Sequence, residues 1–114
     1  MHGPRRGRAA DRDKGIRMAI IVTFDLPGAG QDLYDTVIER VTAGKGFTRF
    51  ADVGDPGLVS HAAGPVEGGF RVTEVWESAE ALEAHAKTFG PILAALGHAD
   101  LRPTIIPAHN VVVR

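Results

Sequence analysis

Gly69-Phe70-Arg71-Val72-Thr73-Glu74-Val75-Trp76-Glu77-Ser78-Ala79-Glu80-Ala81-Leu82-Glu83-Ala84-His85 reads as a strand that runs straight into a helix. Side chains alternate along a strand, so Phe70, Val72, Glu74 and Trp76 share one face while Arg71, Thr73 and Val75 share the other. Glu74 then stands alone among apolar residues. A carboxylate there is costly to bury without a partner, so it needs either an ion pair or a task. Ser78 is a natural N-cap for the helix that follows, and Glu80 in its first turn suits the helix dipole. Leu82, His85, Ala86 and Phe89 recur at helical spacing and form the buried stripe.

Working outward, Met18 to Phe24 is a β-branched run closed by Pro27-Gly28, which reads as the first strand and its turn. Gln31 to Ala43 carries Leu33, Val37, Ile38 and Val41 at helical spacing with Tyr34 beside them, and Gly44 and Gly46 end it. Residues 44–57 form a long, turn-rich connection in which Phe47 and Phe50 are the expected anchors. Leu58 to Ala63 reads as the second strand, followed by a hairpin turn over Gly64-Pro65-Val66-Glu67-Gly68 into the opening stretch. Gly90-Pro91 is expected to break the second helix and start a new one, with Ile92, Leu93 and Leu96 continuing the apolar stripe. Thr104 to Val113 reads as a fourth strand interrupted at Pro107.

The resulting order is β-α-β-β-α-β, the ferredoxin-like α+β arrangement of a four-stranded antiparallel sheet with two helices on one face. Both strand faces look apolar: Ile20, Val22 and Phe24 against Ala19 and Ile21, and Ile106, Ala108 and Val112 against Ile105, Val111 and Val113. A sheet of that kind has to cover its second face, and another copy of the chain is the simplest cover.

The chain of 114 residues suits one core. It holds no cysteine, which removes disulfides, thiolate catalysis and thiolate metal sites, and which fits a cytoplasmic protein. No apolar run reaches the roughly 20 residues of a bilayer span. Six of the 13 Lys and Arg residues lie in residues 1–17 with only two of the 14 acidic ones. That leaves seven basic against twelve acidic residues over 18–114. We therefore expect a disordered basic extension at 1–17 and a single domain at 18–114, whose acidic body does not suit nucleic acid. No GxGxxG or P-loop is present, and histidines at 2, 61, 85, 98 and 109 have no metal-ligand spacing, so neither a nucleotide cofactor nor a metal is expected.

Glu74-Val75-Trp76-Glu77-Ser78, followed by Glu80-Ala81-Leu82 and His85, resembles the strand-to-helix junction of the dimeric α+β barrel superfamily, and within it the antibiotic-biosynthesis-monooxygenase-like proteins. The resemblance covers residues 18–114. The Thr-Pro-His-Phe that often follows the histidine in that family is replaced here by Thr88-Phe89-Gly90-Pro91. The resemblance implies a homodimer and a small-molecule enzyme without a bound cofactor. Its reaction would be oxidation, cyclisation or isomerisation of an apolar aromatic or polyketide-like substrate.

His85 is the candidate general base, because imidazole titrates near neutrality, and Glu74 is its expected partner. The alternative for Glu74 is an ion pair with Arg49, Arg71 or Arg102. Trp76, Phe89 and Tyr34 are candidate walls of a substrate pocket, with Trp76 as a flat surface for an aromatic ring. His61, His109 and Asn110 are further candidate lining residues, and His98 is expected at the surface. The rival reading is a non-catalytic dimeric ligand-binding or stress-associated protein. Light scattering at micromolar concentration is expected to return the mass of two chains; a monomer would refute the covered-sheet reading.

Overall fold

The structure is a computed structural model and describes residues 18–114. The extension expected over 1–17 lies outside the described residues. The elements are β1 (Ile20–Pro27), α1 (Gln31–Val41), β2 (Leu58–Val66), β3 (Gly69–Trp76), α2 (Ala79–Ala95) and β4 (Thr104–Pro107), with a 3-10 turn at Phe50–Asp52. The four strands form one antiparallel sheet in the order β2-β3-β1-β4, which is the ferredoxin-like topology. β1 and β3 are central because they carry the alternating apolar residues. Ile20, Val22, Phe24 and Leu26 of β1 and Phe70, Val72, Glu74 and Trp76 of β3 are all buried beneath the helices.

Several boundaries move. β2 runs on to Val66, so the hairpin turn is the two residues Glu67-Gly68, with Gly68 at φ +77°. Two-residue hairpin turns match the twist of their strands and call for positive φ. Pro65 is accommodated because β2 is an edge strand. α2 does not break at Gly90-Pro91 but continues through Pro91 to Ala95. Proline removes one rung of the ladder, and the stripe of Leu82, His85 and Leu93, all buried, holds the helix together across it. β4 ends at Pro107, so Val111, Val112 and Val113 are not strand residues. α1 stops at Val41, and Ala43 takes a positive φ of 54° just beyond it.

The second face of the sheet is also less uniform than expected. Register places Ile21, Val75 and Ile106 together at one end, Thr23, Thr73, Thr104 and Ala62 in the middle, and Asp25 with Arg71 at the other end. The last two form an ion pair at 2.7 Å with both side chains half exposed, an arrangement worth no more than about 1 kcal/mol. Only one end of this face is apolar.

β2 departs from a regular ladder in a way that matters for the site. Leu58 pairs with Trp76, yet Ser60 pairs with Val75, so Val59 is an extra residue in the strand. A bulge of this kind reverses the alternation beyond it. Without it Leu58 and His61 would point to opposite faces; with it both point toward the helices, and His61 lies directly across from Glu74.

The connection over residues 44–57 packs back onto the body. The Glu77 N–H donates to the Gly57 carbonyl at 2.9 Å. Within the connection the Thr48 N–H, followed by that of Arg49, donates to Asp52 and holds its carboxyl below the ordinary range. Phe47 packs against the core as expected, whereas Phe50 is half exposed. Gly57 is buried so tightly that a Cβ there would overlap the Ala81 side chain on α2. Gly57→Ala is expected to cost about 1–3 kcal/mol in urea unfolding through overpacking. Gly64→Ala, which meets open space, should leave the midpoint nearly unchanged.

Candidate functional site

A cavity of about 80 Å³ lies between the helix-covered face of the sheet and α1, α2 and the 44–57 connection. Most of its wall is aliphatic or phenyl, including Phe24, Val37, Val72, Phe89 and Leu93. Among the described residues, the only polar side chains on it are Tyr34, His61, Glu74 and His85, with no lysine or arginine.

Glu74 is 8% exposed, and its two carboxylate oxygens are divided between two donors. The fully buried Trp76 indole N–H donates to Oε1 at 2.9 Å. His61 Nδ1 meets Oε2 at 2.7 Å. On the other side of the same ring, His61 Nε2 lies 2.7 Å from the Tyr34 hydroxyl. We assign the protons from this network: Nδ1–H donates to the carboxylate, and Nε2 accepts from the Tyr34 O–H. Glu74, His61 and Tyr34 thus form one chain of hydrogen bonds from the core to the cavity wall. Phe47 packs on the His61 ring at 4.6 Å between centroids, and Tyr34 stacks nearby at 5.9 Å, so two aromatic rings hold the imidazole in orientation.

His85 occupies a separate position. Its Nδ1 meets the Asp55 carboxylate from the 44–57 connection, and its ring lies between Trp76 and Phe89 at 5.1 and 5.0 Å. The pairing of His85 with Glu74 is therefore corrected: Glu74 belongs to His61, and Asp55 belongs to His85. Arg49, Arg71 and Arg102 are not partners of Glu74 either. Arg49 pairs with Asp52, Arg71 with Asp25, and Arg102 donates to the carbonyls of Ala99 and Leu101.

Among the remaining candidates, Phe89, Tyr34 and His61 line the cavity. Trp76 does not, because it is buried beneath the site and acts on it through Glu74 and His85. His109 and Asn110 are exposed beyond the end of β4 and lie outside the cavity, since the strand that was to carry them stops at Pro107. Asp55 was missed altogether. It lies in a turn-rich segment, 30 residues from His85, with no periodicity to reveal which way it points.

Burial, followed by the negative charges of Glu74 and Asp35, pushes the Tyr34 hydroxyl above the ordinary 10.0. The phenol therefore stays protonated at neutral pH and remains a donor to His61. The unfolded chain ionises first, so this tyrosine leaves stability untouched below about pH 10 and erodes it as pH rises further. Tyr34 is the single tyrosine of the sequence, so its titration can be read directly. Ultraviolet phenolate absorbance is expected to rise with a midpoint above 10 in the native protein and to return to about 10 in denaturant.

No family model matches the chain, and no curated protein matches it. Solved structures do. A candidate antibiotic biosynthesis monooxygenase from Caulobacter crescentus superposes with a TM-score of 0.55 at 20% identity, over 90% of this chain and 99% of that one. A second, from Deinococcus radiodurans, gives 0.52 at 16% identity over 85% and 98%. A conserved protein of unknown function from Bacteroides thetaiotaomicron, described as a possible oxidoreductase, gives 0.57 at 16% identity over 81% and 99%. The chain has the fold of these proteins over nearly their whole length, a four-stranded antiparallel sheet with two helices on one face.

Proposed function

We propose that this protein is a small-molecule enzyme that oxidises an apolar aromatic or polyketide-like substrate without a resident cofactor. The observation that carries this reading is the cavity, with an apolar wall and one hydrogen-bonded acid–base chain reaching it from the core. A general base must be oriented and have its charged form supported, and the Glu74 carboxylate does both for the His61 ring, in the manner of a carboxylate behind a catalytic imidazole. The fold shared with candidate antibiotic biosynthesis monooxygenases is in keeping with this chemistry.

In this reading, a phenolic or enolic proton of the bound substrate ends on the His61 base. The resulting anion is electron-rich enough to reduce molecular oxygen. One oxygen atom enters the substrate at a methylene carbon as a carbonyl, and the other leaves as water with the two hydrogens that carbon loses. The apolar wall keeps bulk water from quenching the anion. His85, held by Asp55, supplies a second imidazole on the cavity wall and orients the substrate. A second copy of the chain covering the Ile21, Val75 and Ile106 end of the sheet would complete the barrel.

Oxygen consumption with a panel of quinols and anthrone-type substrates tests the proposal. Turnover by the wild type is expected. His61→Ala should lower kcat by about 10²–10⁴, the usual contribution of a general base. His85→Ala should act mainly on KM. Absence of oxygen uptake across the panel would leave a ligand-binding protein in place of an oxygenase.

A further inference from the structure

The histidine that Glu74 supports has no nitrogen free to meet a substrate. Nδ1 is taken by the carboxylate at 2.7 Å, and Nε2 is taken by the Tyr34 hydroxyl at 2.7 Å. Tyr34 lies on the cavity wall and also on a surface groove with Asp35, Ile38, Glu39, Gly44, Gly46 and Phe47. Its hydroxyl oxygen keeps a lone pair while donating to His61, so it can accept a hydrogen bond from a ligand hydroxyl. Apart from Tyr34, the two histidines and Glu74, the cavity wall is apolar, and among the described residues no Lys or Arg lines it. A ligand carrying a carboxylate or phosphate would lose its hydration there and find no Lys or Arg among the described residues to pair with.

From these contacts we infer that Tyr34 is the group that touches the ligand's hydroxyl, and that Tyr34, His61 and Glu74 relay its proton so that a neutral phenol is bound as its anion. This deepens the function proposed above and rests on the same cavity. The transfer balances without any redox step. The ligand O–H proton passes to the Tyr34 oxygen as the Tyr34 proton passes to His61 Nε2. The ligand is left as phenolate, Tyr34 remains a neutral phenol, and His61 becomes an imidazolium facing the Glu74 carboxylate. The indole N–H of Trp76 on the other oxygen of Glu74 holds that carboxylate in place throughout.

A chromogenic single-ring phenol, 4-nitrophenol, reads this step under anaerobic conditions, because only its anion is yellow. The pH is set about one unit below the phenol's own pKa, where roughly a tenth is anion in water. Occupancy is measured separately by equilibrium dialysis. Bound to the wild type, most of the phenol is expected as anion. Tyr34→Phe, which keeps the ring packed on Phe70 and His61, should bind within a few-fold of wild type yet lose the anion band by about tenfold or more. Glu74→Gln should lose it as well, through the imidazolium. A 4-hydroxybenzoate control should bind at least about tenfold more weakly than the nitrophenol. Failure of the wild type to bind the phenol, a bound phenol that stays neutral, or an unchanged anion band in Tyr34→Phe would each overturn the inference. Anion formation without oxygen uptake on the substrate panel would instead refute the oxygenase reading and leave the relay standing.

Discussion

The site depends on one buried carboxylate. Glu74 sits in the helix-covered face of a central strand, where an unsatisfied charge would be intolerable. Its cost is met by two N–H donors, one per oxygen, from Trp76 and His61. This requirement couples otherwise separate parts of the molecule. Trp76 comes from the same strand two residues on, where alternation returns the side chain to the same face. His61 comes from the neighbouring edge strand, where only the bulge at Val59 brings it to that face. Tyr34 then extends the chain of hydrogen bonds from the sheet to α1.

The two imidazoles divide the cavity between them. His61 is tied to the sheet through Glu74, and its orientation follows from strand register and the Phe47 and Tyr34 rings. His85 is tied to the 44–57 connection through Asp55, and its orientation follows from Trp76 and Phe89. Trp76 contacts both systems, as donor to Glu74 and as packing surface for His85, although it does not reach the cavity. A residue with the look of a substrate wall is therefore the buried support on which both histidines rest.

The connection over 44–57 closes the structure from outside. It places Phe47 and Val53 on the cavity wall and Asp55 on His85, and it is pressed against the start of α2 at Gly57. The sheet and helices are those of the solved structures with the same fold. On that frame Tyr34, His61, Glu74, Asp55 and His85 form the site.

Much of the fold was legible because it is written in local periodicity. A β-branched run marked β1, period-two alternation marked the faces of β3, Ser78 marked the start of α2, and Phe70, Val72, Glu74 and Trp76 do share one face. Helix continuity through Pro91 and the early end of β4 were not legible, because packing outweighs the local preference in the first case and only strand pairing sets the limit in the second. Sequence alone determined that a carboxylate would be buried beside a tryptophan and that it would need a partner. Which histidine supplied that partner was decided only by the tertiary structure. One extra residue in β2 reverses the direction of every side chain beyond it, and a loop aspartate 30 positions from His85 takes the partner role that Glu74 had been expected to fill.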